Sequence, residues 1–312
     1  MSEKHSNHDH SHGHHHHEID VDKMGGKIVI SILLNVLITL SQIVGGLLSN
    51  SMALLSDALH NFSDVVSLII SYIANKLSKK KYKHDKTFGY RRAEIIAAFI
   101  NSATLIVIAI FLGKEAIERF TEPETIDSTI VIIMAFASIV INFISVMILK
   151  SGAKDNMNIK SAYLHLLSDV VTSVAVMIGG FAMKFYNIYW LDSVLSIMIA
   201  IYLLYASWGL LMQSLKVLMQ FVPKGIDIDD ISKEIVTLDN VKNIHHVHIW
   251  QLDDKQIHFE CHVDIEKDMP VSEFEILQKQ VEHVLEHKGI SHVTLQPEYE
   301  MDDDKDIIVQ NK

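Results

Sequence analysis

Two apolar stretches of the chain each carry a histidine and an aspartate four residues apart. His60 and Asp64 lie in Leu-His-Asn-Phe-Ser-Asp-Val-Val-Ser, and His165 and Asp169 lie in Leu-His-Leu-Leu-Ser-Asp-Val-Val-Thr. Residues with this spacing lie one turn apart on the same face of a helix. If two such helices faced each other, two imidazoles and two carboxylates would converge, which is a complete tetrahedral ligand set for zinc.

The chemistry of this set indicates a divalent cation that exchanges with protons. Two carboxylates neutralise the cation and two neutral imidazoles complete the coordination, which favours zinc or cobalt over magnesium and calcium. Because the metal binds only ionised carboxylates and free imidazoles, its binding releases protons. Alternatively, each His-Asp pair is a buried ion pair that holds two helices together. The repeated pattern favours ligands, since each ionisable group at membrane depth costs at least ~2.5–3.5 kcal/mol.

Other polar side chains occur in the same apolar sequence. Asp57 precedes His60 by one turn, and it is either a proton relay beside the site or an exposed residue near the outer half of the helix. Four amide side chains are expected to form hydrogen bonds between helices rather than to bind metal: Asn35, Gln42, Asn101 and Asn142.

Six apolar stretches, each about as long as a membrane span, supply the helices that would position these residues. They lie near 28–48, 53–77, 93–119, 127–149, 160–185 and 190–213. The connections after the second and fourth stretches are rich in lysine and arginine, whereas 118–127 is mostly acidic. By the positive-inside rule the basic connections are cytoplasmic, so that both termini are cytoplasmic. We expect a multi-pass protein of the cell membrane, in contact with membrane lipid.

The sequence after Pro223 has the alternating pattern of a soluble α/β domain. It predicts helix 227–238, strand 244–250, strand 256–265, helix 271–287 and strand 292–297, an αββαβ order that forms a sheet covered by two helices. Ser272 and Glu275 match a capping box at the start of the last helix. The predicted fold class is therefore a membrane all-α domain of six helices followed by a small cytoplasmic α/β domain.

The expected domains are a His-rich disordered segment at 1–27, a transport domain at 28–215, a cytoplasmic domain at 216–300 and an acidic disordered segment at 301–312. The histidines of the first segment are typical of a weak metal-collecting tail: His5, His8, His10, His12 and His14 to His17. A formal charge of −11 does not suggest nucleic acid as a partner, and one cysteine excludes an intrachain disulfide framework.

Competing function classes are disfavoured by specific features. An intramembrane zinc hydrolase needs an open metal position and a general base, usually in His-Glu-x-x-His, and the sequence has no such motif. The protein is therefore not expected to be an enzyme. A membrane-anchored metal sensor does not explain four ionisable ligands at membrane depth. A passive channel would release ions slowly from a closed, high-affinity site unless protons assisted.

Several motifs accompany the His-Asp pairs: Phe88-Gly-Tyr-Arg-Arg-Ala-Glu94, Ile244-His-His-Val-His-Ile-Trp250 and Thr294-Leu-Gln-Pro-Glu298. With Asp57-Ala-Leu-His-Asn-Phe-Ser-Asp64, they make the chain resemble the cation diffusion facilitator family over about residues 25–300. The most similar branch is that of zinc, cobalt and cadmium resistance. The resemblance implies a homodimeric, proton-coupled exporter of cytosolic zinc with six helices and a metallochaperone-like cytoplasmic domain that dimerises and binds metal.

The resemblance also assigns site residues. The transport site falls on His60, Asp64, His165 and Asp169, and a histidine at the first of these positions is the zinc-preferring pattern. Some relatives have a further site in the basic loop, but the matching positions here are Lys83, Lys86 and Tyr90, so that site is not transferred. The nearby His84 and Asp85 are expected to be a solvated surface.

In the cytoplasmic domain the metal positions fall on His245, His262 and Glu298, with His248 as a neighbour. Zinc there would be structural or regulatory, although some of these histidines could be plain residues of the sheet surface. Gln296 and Glu275 stand where some relatives have histidine, so the resemblance leaves open whether the site holds one zinc ion or two. Three other histidines are expected on the surface: His258, His283 and His287.

Overall fold

The computed structural model describes residues 26–78, 84–150, 157–253 and 256–309. Residues 1–25 of the predicted His-rich segment 1–27, and the lysines at 79–83, lie outside the described residues. Six long helices come first: α1 (Gly26–Ser49), α2 (Met52–Ser78), α3 (Ala93–Thr121), α4 (Ser128–Leu149), α5 (Met157–Tyr186) and α6 (Trp190–Leu218). The remaining elements are α7 (Ile228–Val236), β1 (Val241–Gln251), β2 (Ile257–Ile265), α8 (Val271–His287) and β3 (His292–Glu298).

This element order confirms the predicted fold class. Five of the helices contain segments that are long and apolar enough to cross a membrane: Ile32–Ser49, Ala93–Thr121, Ser128–Leu149, Tyr163–Tyr186 and Trp190–Leu218. Helix α2 is long enough at 27 residues. It is less apolar because it carries the polar cluster around His60 and Asp64.

The described residues divide into two compact units. The first contains the chain up to Lys76 and from Ile100 to Leu210, and the second contains Leu77–Phe99 and Leu211 onward. In the first unit a buried apolar cluster joins α2, α4 and α5: Ala53, Val131, Ala135, Val176 and Met183. A Cβ added at Gly180 would lie 2.9 Å from Ile132, so this glycine allows α5 to approach α4 closely.

The start of α2 is held by a carboxylate from α6. Asp192 accepts hydrogen bonds from the Ser51 hydroxyl at 2.5 Å and from the Met52 amide at 2.7 Å. It is 1% exposed. An anion at this end satisfies amides that have no partner within the helix and complements the helix dipole. The contact fixes the N-terminal end of the helix that carries His60.

Two of the four amide side chains predicted to join helices form hydrogen bonds between helices. Gln42 of α1 donates to Asp57 of α2 at 2.7 Å and accepts from Asn61, while Asn101 of α3 donates to Ser63 of α2 at 3.2 Å. The other two amides have hydrogen bonds within their own helices, with Thr39 for Asn35 and Ser138 for Asn142. Asp57 is 1% exposed, so the exposed alternative for this residue is wrong.

The second unit contains a three-stranded sheet in the order β1-β2-β3, with β1 antiparallel and β3 parallel to β2. Helices α7 and α8 cover its apolar face. The alternation predicted for the strands is confirmed, because the core contains Ile244, Val247, Ile249, Phe259, Cys261 and Val263. Burial raises the pKa of the Cys261 thiol to about 12, so this thiol is neutral at physiological pH.

Strand β1 contains a bulge, and helix α8 does not begin with the predicted capping box. The pairing of β1 with β2 shifts register between His245 and His248, where His246 has a φ of 52°. This bulge explains why the apolar core positions on β1 are three residues apart, at Ile244 and Val247, instead of two. The predicted capping box is wrong: α8 has Pro270 as its N-cap, with no side-chain hydrogen bond, and Glu275 pairs with Lys279 at 2.9 Å.

The segment after β3 also departs from the prediction of an acidic disordered tail. Residues 301–309 return to β1, where the amide of Val247 donates to the carbonyl of Ile307 at 2.8 Å. Ile307 packs against the buried core of the sheet. Burying this apolar side chain and pairing the free backbone groups of the bulge offset the charge of the surrounding aspartates.

Candidate metal sites

The two His-Asp pairs of the sequence come together between α2 and α5. His60 Nε2 lies 3.7 Å from Asp64 Oδ2, and His165 Nε2 lies 3.8 Å from Asp169 Oδ2, so each pair is in contact within its own helix. Across the two helices, His165 Nε2 lies 3.2 Å from Asp64 Oδ2. The two imidazole rings meet edge to face, with centroids 5.9 Å apart.

These spacings fit a shared tetrahedral cation. With metal–ligand bonds of about 2.0–2.1 Å at tetrahedral angles, two ligand atoms lie roughly 3.3 Å apart. The three nitrogen–oxygen distances are 3.2, 3.7 and 3.8 Å. Small rotations of these side chains would therefore bring their nitrogen and oxygen atoms within bonding distance of one shared cation. The Oδ2 atom of Asp169 is buried and has no hydrogen-bond partner among the described residues, which a bound cation would correct.

The burial of this group is uneven. Asp169 is 3% exposed, whereas the His165 side chain is 40% exposed, although its Nε2 atom is buried. The ligand atoms of His165 and Asp169 are thus both buried, although the His165 ring is the most exposed side chain of the group. Tyr202 of α6 contacts the edge of the His60 ring, with centroids 5.8 Å apart, and limits the orientations of that imidazole.

A second group of potential ligands lies at the edge of the sheet. His245 on β1 is directly opposite His262 on β2, and Glu298 ends β3 beside them. Glu298 Oε2 lies 3.2 Å from His245 Nε2, and Glu298 Oε1 lies 2.7 Å from His262 Nδ1. His245 is completely buried. The sheet register thus brings together three of the four residues expected here.

The fourth member of the group is Asp303, which sequence reasoning missed. Its Oδ2 atom lies 3.2 Å from His245 Nε2, and one potential ligand atom from each of His245, His262, Glu298 and Asp303 lies within 4.8 Å of the others. The hydrogen bond from Lys305, and then the contact with His245, lower the pKa of Asp303 to about 2. The only sequence signal was a run of aspartates after β3.

His248 does not join this group. Its side chain is exposed, and its ring contacts that of His246 at a centroid distance of 5.0 Å. The bulge at His246 separates its position from that of His245. Asp264 instead lies 3.5 Å from His245 Nδ1, on the side of the ring away from Glu298. A carboxylate in this position orients a ligating imidazole.

The expected surface position of His258 is wrong. This histidine is 6% exposed, stacks on Trp250 and lies near His292 with ring centroids 4.6 Å apart. Burial first, and then His292, lower its pKa. His283 and His287 are exposed and contact each other on α8, in agreement with the prediction.

The loop before α3 contacts the same part of the second unit. The ring of Phe88 meets the edge of His258, with centroids 5.9 Å apart, and Arg91 forms a 2.8 Å ion pair with Asp253 at the end of β1. Both residues belong to the Phe-Gly-Tyr-Arg-Arg motif. In the described part of this loop, Asp85 pairs with Lys86, whereas His84 is exposed, as expected of a solvated surface.

Comparison with known families agrees with this architecture. Residues 28–219 match the cation efflux transmembrane domain, and residues 223–300 match the cytoplasmic domain of cation efflux proteins. The chain therefore belongs to the cation efflux family of membrane transporters, which is not a family of enzymes. It is a multi-pass membrane protein with a function in metal cation efflux.

Three relatives illustrate the family. A "Cadmium, cobalt and zinc/H(+)-K(+) antiporter" of Bacillus subtilis is 40% identical over 261 residues, covering 83% of this chain and 84% of the relative. The "Cation efflux system protein CzcD" of an Alcaligenes species is 36% identical, covering 82% and 81%. The "Zinc transporter ZitB" of Escherichia coli is 33% identical, covering 84% and 83%.

Proposed function

We propose that this protein exports zinc from the cytosol in exchange for protons, through a His2Asp2 site between α2 and α5. The contact of Asp64 with imidazoles of both helices, at 3.7 and 3.2 Å, is the observation that carries the proposal. Zinc is the substrate that a tetrahedral nitrogen and oxygen set prefers. Relatives named as zinc transporters, and one named as a cadmium, cobalt and zinc antiporter, support zinc with cobalt and cadmium as further cargo.

Competition between zinc and protons supplies the direction of transport. Imidazoles and carboxylates bind either protons or a cation, so that zinc entering from the cytosol displaces protons from the site. When the helices rearrange and open the site to the other side, protons from that side displace zinc. Asp57 is buried near the site and accepts a hydrogen bond from Gln42, which suits a residue that passes protons to or from the ligands.

Orientation and assembly complete the proposal. The basic connection between α2 and α3 supports a cytosolic position for that loop, for the cytoplasmic domain and for both termini. The match to the cytoplasmic domain of cation efflux proteins supports a homodimer in the cell membrane, with membrane lipid around its helices. The transport domain extends over residues 28–215 and the cytoplasmic domain over 216–300, to which the returning segment 301–309 is added. The latter holds a structural or regulatory zinc through His245, His262 and Glu298, with Asp303 in place of His248.

Transport by purified protein in lipid vesicles tests the function. With zinc outside, a zinc-sensitive dye inside and an acidic lumen, the wild type should move zinc inward and protons outward. The double variant Asp64→Ala with Asp169→Ala should lose zinc flux while it still elutes as a dimer. Flux equal to that of the wild type would refute the ligand assignment. Zinc flux that does not alter the lumenal pH would instead indicate a channel.

A further inference from the structure

A short segment after the family match is built into the cytoplasmic metal site. The match to the family ends at residue 300, yet the chain then returns to the bulge of β1. The amides of His246 and Val247 donate to the carbonyls of Asp306 and Ile307, at 3.3 and 2.8 Å. The Asn243 side chain donates to the carbonyl of Lys305 at 3.3 Å. These bonds attach the segment to β1 and thereby keep Asp303 and Lys305 next to His245.

Lys305 contacts all the carboxylates around His245. Its Nζ atom lies 2.8 Å from Asp264 Oδ1 and 3.3 Å from Glu298 Oε2, and it also pairs with Asp303. Glu298 Oε2 is the same atom that lies 3.2 Å from His245 Nε2. The ammonium group therefore binds oxygen atoms that a cation between the two histidines would need.

The charges of the group favour a bound cation. Three carboxylates carry a formal charge of −3 and Lys305 contributes +1, so that the group keeps an excess of two negative charges at neutral pH. One divalent cation would neutralise this excess. Buried like charges repel strongly when they are not compensated, and His245 in their midst is fully buried.

We propose that residues 301–307 complete the cytoplasmic metal site and set its affinity, with Asp303 as a ligand and Lys305 as a tethered cation that competes with the metal. The inference rests on the cytoplasmic zinc site proposed above. When cytosolic zinc is scarce, Lys305 neutralises the carboxylates and keeps the segment on β1. As zinc rises, it displaces the ammonium from Glu298 and binds His245, His262 and Asp303. The site therefore fills at a higher zinc concentration than its donor set alone would require.

Zinc affinities of full-length variants in detergent test this inference. All variants carry Asp64→Asn and Asp169→Asn so that the transport site contributes little, and all keep the same N-terminal residues. Zinc is titrated in competition with a fluorescent chelator. Asp303→Asn should weaken the cytoplasmic site by about 10- to 100-fold, as loss of a metal partner does. The exposed neighbour Asp302→Asn is the matched control and should have no effect.

The direction in which Lys305→Gln changes the zinc affinity shows whether Lys305 competes with zinc or only holds the segment in place. Lys305→Gln should tighten zinc binding about tenfold, because a nearby positive charge is removed. Lys242→Gln, which removes an exposed charge of the same sheet, should not change it. If Lys305 only held the segment in place, its loss would weaken binding by releasing Asp303. Weakened or unchanged binding in Lys305→Gln therefore overturns the tethered-cation proposal.

A further variant separates this inference from the function on which it rests. His262→Ala should remove one tight zinc equivalent. If it does not, the cytoplasmic zinc site itself is absent and the role of the segment is refuted with it. If His262→Ala loses the equivalent while the Asp303 and Lys305 variants match their controls, the zinc site stands and only the inference about the segment is wrong.

Discussion

The substitution Asp64→Asn tests whether the carboxylate that contacts imidazoles of both helices binds zinc at the transport site. Asp64 Oδ2 lies 3.7 Å from His60 Nε2 and 3.2 Å from His165 Nε2, so it is the ligand that joins the two helices. Asparagine keeps the size of the side chain but removes its negative charge. Breaking a buried ionic contact in this way costs about 3–5 kcal/mol. This corresponds to a loss of zinc affinity of roughly 10²- to 10⁴-fold.

The loss of zinc affinity can be measured as a lower initial rate of zinc transport. If KM rises 100-fold and kcat is unchanged, the initial rate at a zinc concentration equal to the wild-type KM falls about 50-fold. Lipid vesicles with an enclosed zinc-sensitive dye report this rate. Asp169→Asn should show a comparable loss. Glu122→Gln removes an exposed carboxylate between α3 and α4 and should transport at the wild-type rate.

Protein folding must be monitored in the same samples. The substituted protein should elute from a size-exclusion column at the position of the wild type and should have the same helical circular dichroism. A folded Asp64→Asn protein that transports zinc with the wild-type KM would show that this carboxylate does not bind the ion. The pair contacts would then be structural, as in the alternative of two ion-paired helices.

Three other predictions concern the parts that position the sites. Asp192→Asn should lower the free energy of unfolding in detergent by about 1–2 kcal/mol, because a capping carboxylate at the start of α2 is lost; an unchanged melting temperature would refute that role. The lowered pKa of His258 means that the folded protein disfavours its protonated form, so stability should fall as the pH drops below about 6.5, by at most ~1.4 kcal/mol per pH unit. With chelator present, His258→Gln should reduce this pH dependence and His283→Gln, on an exposed face, should preserve it. Arg91→Gln breaks the 2.8 Å ion pair with Asp253 and should speed amide hydrogen exchange at the β1–β2 connection, with no change in the exchange of α8.

Local patterns of the sequence were sufficient for several features. Helix and strand periodicity depend on neighbouring residues, so the six long helices, the αββαβ order and the alternation along β2 could all be predicted. The same holds for the spacing of His60 with Asp64 and of His165 with Asp169, since residues four apart on one helix share a face whatever the helix packs against.

Contacts between distant segments required the tertiary structure. The sequence did not predict the return of residues 301–307 to β1. Four of these seven residues are aspartates and only Met301 and Ile307 are apolar, so the local composition indicates a solvated segment. Burial of His258 likewise depends on Trp250, His292 and the loop before α3, which lie far apart along the chain.

The sequence by itself determined which side chains could bind a divalent cation and which of them share a helix face or a strand. Only the tertiary structure decided the membership of each site. The bulge at His246 directs His248 away from the histidine pair, and the return of the chain after β3 brings Asp303 and Lys305 to it. Ligand chemistry belongs to individual residues, whereas convergence depends on register and packing between segments that local sequence does not specify.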